Sequence, residues 1–228
     1  MSICKIILFI TTIFLGIHIC SAQEISVRGG FNLSQYRIKY DNIDGPGEWA
    51  KLNPGLNVGP MLELPILDIF SLETGLFFTS KGEKTIVKVN NVDTHKIIEN
   101  LYYLDLPVLF KITFPVKNVG IFAMAGPYIG EALYGKYKSE FTYNSETVKF
   151  ERNIFWGGNE QYKYDRFDYG LKFGVGLRYL KWQFGALYQV GYKDFSNQKQ
   201  PPSPVLRNNR VMEIYLSYAL LNLKSHKK

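Results

Sequence analysis

Apolar and polar residues alternate with a period of two over much of this chain. In Arg166–Tyr179 the odd positions are Phe167, Tyr169, Leu171, Phe173, Val175, Leu177 and Tyr179, while every even position is charged or glycine. A period of 3.6 would scatter these residues around a helix, so the run predicts a strand with one apolar face. Lys181–Tyr192 repeats the pattern, with Trp182, Phe184, Ala186, Tyr188, Val190 and Tyr192 on one face and Leu187 as the single break. Tyr102–Phe114 alternates as well, setting Tyr102, Leu104, Leu106, Val108, Phe110, Ile112 and Phe114 against Tyr103, Asp105, Pro107, Leu109, Lys111 and Thr113. Weaker alternation at Ile25–Leu33, Leu56–Leu64, Phe70–Phe78, Val119–Gly130 and Val211–Leu220 brings the expected strands to eight.

The connections alternate in length. Short turns are expected at Pro65–Ile69, Pro115–Asn118 and Leu180–Lys181; long polar connections at Gln35–Gly55, Ser80–Asn100, Glu131–Asp165 and Lys193–Asn209. Short turns on one rim and long loops on the other mark a barrel that sits across an outer membrane. Strands of about 9–13 residues suit a tilted crossing of the hydrocarbon layer. The expected fold is therefore all-β: an eight-stranded antiparallel up-and-down transmembrane β-barrel.

Composition agrees. Residues 1–22 read as a cleavable signal peptide: Lys5, an apolar stretch Ile6–Ile19 too short for a spanning helix of roughly 20 residues, and small residues Cys20 and Ala22 before the cut. Residues 23–228 then form the barrel domain. Both cysteines, Cys4 and Cys20, fall in the leader, which excludes disulfides, thiolate metal sites and a cysteine nucleophile from the rest. The formal charge of +7 becomes +6 without Lys5, and only His95 and His226 remain of the histidines. With 16 Tyr, 16 Phe, 3 Trp and 20 Gly and no long apolar run, the chain is unlike a helical membrane protein.

A soluble lipocalin-like barrel holding an apolar ligand would share this alternation but turn its apolar face inward. Three features favour lipid. The aromatics of Arg166–Tyr192 would crowd a small interior, and Tyr179, Trp182 and Tyr192 lie near strand ends, where interfacial girdles form. The other face carries glycines and opposed charges, namely Arg28, Glu63, Glu73, Asp105, Lys111, Arg166, Asp168, Lys172, Arg178 and Glu213, which suit a narrow lumen where charges pair. The two rims also differ in loop length.

Val27-Arg28-Gly29-Gly30-Phe31-Asn32-Leu33-Ser34 resembles the opening strand of the PorT-like outer-membrane β-barrel family of Bacteroidetes-type bacteria. Leu104–Lys111 resembles that family's fourth strand and Ala125-Gly126-Pro127-Tyr128-Ile129-Gly130 its glycine-proline-tyrosine strand. Phe167-Asp168-Tyr169-Gly170 with Phe173-Gly174-Val175-Gly176, then Leu187-Tyr188 and Gly191-Tyr192, follow in order. Each motif is short, and their collinear order carries the resemblance. It implies a Gram-negative outer-membrane barrel, and only loosely a role accessory to protein secretion. One departure is the polar tail Asn222–Lys228, where such barrels usually end on an aromatic; either the assembly signal is internal, at Tyr218, or the tail is dispensable.

Gly174-Val175-Gly176 has two glycines of a nucleotide fingerprint, but no helix follows, so thinning of a crowded lumen explains it better. The carboxylates of Glu63, Glu73, Asp105, Asp168 and Glu213 have enough Arg and Lys partners for a structural ion network that plugs the pore. His95, near Ser80 and Asp93 in a polar connection, would serve a lipid-modifying hydrolase only with a nucleophile motif that the sequence lacks. The connection Glu131–Asp165 holds nine aromatics, read either as a hairpin extending the strands or as a surface for a protein or glycan. No catalytic residue, cofactor or metal is expected, nor nucleic acid. The expected contacts are outer-membrane lipid and, through Glu131–Asp165, a partner protein or surface glycan, with the barrel monomeric. The function expected is structural or interactive, in secretion or envelope assembly; the alternatives are an outer-membrane lipid-modifying enzyme and the soluble ligand-binding barrel.

Overall fold

The computed structural model describes residues 22–40, 43–45, 49–88, 94–143, 146–156, 164–194 and 206–224. The predicted leader up to residue 21, His226, Asp93 and Tyr162 lie outside these residues. Among the described residues twelve strands occur in order: β1 (Ala22–Tyr40), β2 (Ile43–Gly45), β3 (Ala50–Lys51), β4 (Asn53–Pro65), β5 (Phe70–Gly75), β6 (Phe77–Lys88), β7 (Thr94–Val116), β8 (Val119–Tyr143), β9 (Glu146–Asn153), β10 (Phe167–Tyr179), β11 (Trp182–Gly191) and β12 (Leu206–Lys224). β5 and β6 occupy a single barrel position interrupted at Leu76, whose N–H donates to the Pro60 carbonyl at 3.1 Å.

The barrel closes through eight antiparallel positions. β1 pairs with β12 on one side and with β4 on the other; β4 meets β5 and β6, these meet β7, and β8, β10 and β11 return the sheet to β12. Closure leaves the ring itself no edge, so its backbone N–H and C=O groups find partners without water. The three predicted short turns are all present. In two of them the first turn residue, Lys117 (φ 55°) and Leu180 (φ 54°), adopts the left-handed conformation that tight hairpins demand.

The apolar face points out. Phe167, Phe173 and Phe184 are 46%, 46% and 55% exposed at the outer wall, while Lys172 is 2% exposed inside. An interior ligand-binding barrel is excluded by this sorting. The glycines of the inner face make room for rings: a Cβ on Gly185 would sit 2.6 Å from the Tyr215 ring.

The long connections are shorter than expected, because the strands run on past the barrel. Ser80–Asn100 is largely the upper halves of β6 and β7, and Glu131–Asp165 contains the end of β8 and all of β9, which pair as a hairpin from Lys136↔Asn153 to Tyr143↔Glu146. The third predicted strand, Phe70–Phe78, extends to Lys88, and β12 covers part of the expected tail, reaching Lys224 opposite Ala22.

Candidate functional site

The lumen is filled in layers. Near the short turns Lys111 donates to Glu63 (2.9 Å), Glu73 (3.2 Å) and Gln183 (2.7 Å). Arg178 bridges Glu63 (2.7 Å) and Glu24 (2.8 Å), and Arg28 pairs with Glu73 while stacking 3.8 Å over the Tyr215 ring. Toward the long loops Lys81 sits between Asp105 (2.9 Å) and Asp168 (3.0 Å), and Asp168 also accepts from Tyr128 (3.1 Å) and Asn209 (3.0 Å). Lys172 lies 3.6 Å from Asp105. Buried charges survive only when so compensated. Leu109, Phe122, Met124, Leu187 and Tyr215 form an apolar layer within this interior. A crevice beside Arg28, Asn57, Lys172 and Glu213 is too narrow for a water-sized sphere. At the mouth, Tyr36, Leu101, Tyr103, Ala132 and Ile154 pack together, with Tyr137, Trp156 and Tyr164 against them.

Nine of the ten charges assigned to the lumen from sequence lie on its inner side. The tenth, Arg166, is exposed: it precedes β10, and its carbonyl accepts from the Ala132 N–H. Lys81, Glu24 and Glu99 were missed: each lies beyond the segments whose alternation was clean. Lys81 is the most consequential, being fully buried between two carboxylates.

Beyond the barrel, β6, β7, β8 and β9 continue as a four-stranded sheet. Its base is marked on the outer wall by a row of rings, Phe78 stacked on Tyr102 (5.8 Å) and Tyr102 on Tyr134 (4.2 Å). At the opposite rim Trp182 meets Tyr218 at 4.6 Å, beside exposed Tyr179. Two aromatic girdles thus bound the apolar wall, as an interfacial residue pattern requires. β8 carries one extra residue here, since Tyr102 opposes Tyr134 but Tyr103 opposes Ala132, leaving Leu133 unpaired. This bulge reverses the phase of β8 and turns Lys136, Lys138 and Glu140 outward.

The two readings of Glu131–Asp165 divide its aromatics. Tyr137, Trp156 and Tyr164 pack into the mouth, whereas Phe141, Tyr143 and Phe150 remain exposed. His95 belongs to β7 rather than to a loop. It faces Phe141 in the register, and its Nε2 lies 2.9 Å from Ser139 Oγ. Ser80, its sequence neighbour, pairs with Tyr102 well below. A serine beside a histidine is half of an acyl-transfer site, but Ser139 and His95 lie on a regular antiparallel sheet whose backbone N–H groups are spent on the ladder. Such a surface offers no converging pair of donors for an oxyanion.

A closed barrel with charges inside, an apolar wall outside and an aromatic girdle at each rim defines a protein of the bacterial outer membrane. The chain belongs to the outer membrane protein β-barrel domain family, whose profile matches residues 21–197. No curated protein matches it. Among solved structures it is similar to the outer membrane protein OprG of Pseudomonas aeruginosa, at 13% identity over 88% of this chain and 97% of that one, with a TM-score of 0.45. It is also similar to Neisserial surface protein A, at 13% identity over 86% and 97% with a TM-score of 0.41. The attachment invasion locus protein of Yersinia pestis matches at 12% identity over 89% and 100%, with a TM-score of 0.35.

Proposed function

We propose that this barrel is a non-enzymatic anchor that holds the β6–β9 sheet above the membrane for contact with a partner protein. The observation that carries the proposal is the inward side of that sheet, where Phe141, Val148 and Phe150 stand exposed, Val148 at 68%. Exposed apolar residues clustered on a rigid element are what protein contacts use. The filled lumen supports an anchoring rather than a conducting role. The resemblance to PorT-like barrels makes secretion or envelope assembly the setting to test first; a surface glycan is the competing partner.

A photo-crosslinking residue at position 150 in living cells tests this reading. A defined protein adduct at 150, absent when the same group is placed at lipid-facing position 173, is the expected result. Lipid adducts alone at 150, or steady ion conductance in planar bilayers, would overturn it. If Ser139→Ala abolished an acyl-hydrolase activity of the purified barrel, the non-enzymatic part would fall.

A further inference from the structure

We propose that the outward side of the same sheet docks phosphate-bearing headgroups of the outer-leaflet lipid. The proposal goes beyond the partner contact, since it uses the opposite face. In β7 and β8 this side includes Lys96, Lys136, Lys138 and Glu140; in β6 and β9 it includes Lys84, Lys88, Lys149 and Glu151, as the alternation and register require. Six lysines therefore face two glutamates. Lys96 pairs with Glu140 at 2.8 Å, and Lys136 and Lys138 both reach Glu151 at 3.1 Å, so the remaining lysines leave the face strongly positive.

Position selects the occupant. The lysine face continues the lipid-facing wall directly above the Phe78–Tyr102–Tyr134 row. A strand rises about 3.3 Å per residue and is tilted by about 40°, which places Lys136 about 5 Å and Lys138 about 10 Å above Tyr134. Lys84 lies in register with Lys138 two strands away, because both oppose Ile98. The polar headgroup layer adds about 5–8 Å to each side of the hydrocarbon. The lowest lysines thus stand in or just above that layer, where the chemistry opposite a row of ammonium groups is lipid phosphate. A soluble polyanion would reach the outward face only from above, past Lys88 and Lys149.

The test uses the purified full chain in bilayer discs of phosphatidylcholine doped with bis-phosphorylated lipid A or with the same lipid after phosphatase treatment. Retained lipid is counted by native mass spectrometry. The wild type is expected to keep the phosphorylated lipid and to release it as salt rises. With each lysine near such a surface contributing about fivefold, the triple variant Lys84→Gln, Lys136→Gln, Lys138→Gln should retain at least tenfold less. The triple arginine variant, which preserves charge, should retain it, and Phe150→Ser on the inward face should behave as wild type. Equal retention by the glutamine variant, or equal retention of dephosphorylated lipid, would overturn the proposal. So would displacement by the acyl-free sugar bisphosphate at the same concentration, which would reassign the face to soluble anions.

Discussion

The same strands sort their side chains in opposite ways above and below the Phe78–Tyr102–Tyr134 row. Below it, β7 turns Leu104, Leu106, Val108 and Phe110 outward and Asp105 and Lys111 inward. Above it, β7 and β8 turn Lys96, Lys136, Lys138 and Glu140 outward, while Ile97, Phe141 and Tyr137 share the inward side. Both halves are the same antiparallel ladder, shifted in β8 by the Leu133 bulge, and the medium outside the wall decides which face the charges take. Hydrocarbon tolerates no unpaired charge and drives ions into the lumen, where they neutralise one another. Water imposes no such demand, and the apolar side can turn to the axis or to a partner.

The largest expected effect comes from breaking a charge on the lower side of that contrast. Lys81→Met leaves Asp105 and Asp168 buried without their shared cation and should cost about 3–5 kcal/mol, read as a lowered unfolding midpoint in detergent. Lys96→Met, in the half-exposed pair above the row, should cost no more than about 1 kcal/mol by the same measurement. The next effect is read from one substitution made twice. Phe173→Arg places a charge against acyl chains and should cost about 2–4 kcal/mol. Phe150→Arg, on the sheet in water, should change folding stability by less than about 0.5 kcal/mol. Equal costs at the two positions would mean that the aromatic row is not the membrane boundary. Smaller again is Tyr102→Ala, which removes the central ring of the row and should cost about 1 kcal/mol through lost stacking.

The barrel was legible because two unlike media press on its strands throughout. Arg28, Lys111 and Asp168 could be placed inside from alternation alone, and Phe173 and Phe184 outside. The sheet was not legible for the same reason inverted. Past Tyr134 the apolar positions change sides, but the Leu133 bulge resets the phase of β8 at the same point, so Ile129, Tyr137 and Phe141 keep one parity in the sequence and the change of face leaves no mark on the alternation. β6 is distorted too: Gly82 takes φ 147° where any Cβ would meet the Glu99 carbonyl, just beside Lys81. Lys81 was therefore read as part of a polar connection. His95 and Ser139 are 44 residues apart and meet only through the pairing of β7 with β8, which no local pattern announces.

The smallest effect concerns acid. Hydrogen bonds from Lys136 and then Lys138 hold the Glu151 carboxyl below its ordinary range. A carboxylate whose folded pKa is lowered stabilises the fold above its unfolded pKa, and that contribution fades as pH falls through the folded value. Hydrogen exchange in β9, corrected for intrinsic rates, should therefore show constant protection above about pH 4.5 and declining protection below it. Glu151→Gln should flatten this dependence, while the buried ladder of β10 and β11 stays protected at every pH. Because the pair is fully in water, the change should be confined to the hairpin and should shrink as salt is added. Loss of protection spreading into β7 would instead mean that the β8–β9 hairpin supports the mouth of the barrel, tying the upper sheet to the lumen it overhangs.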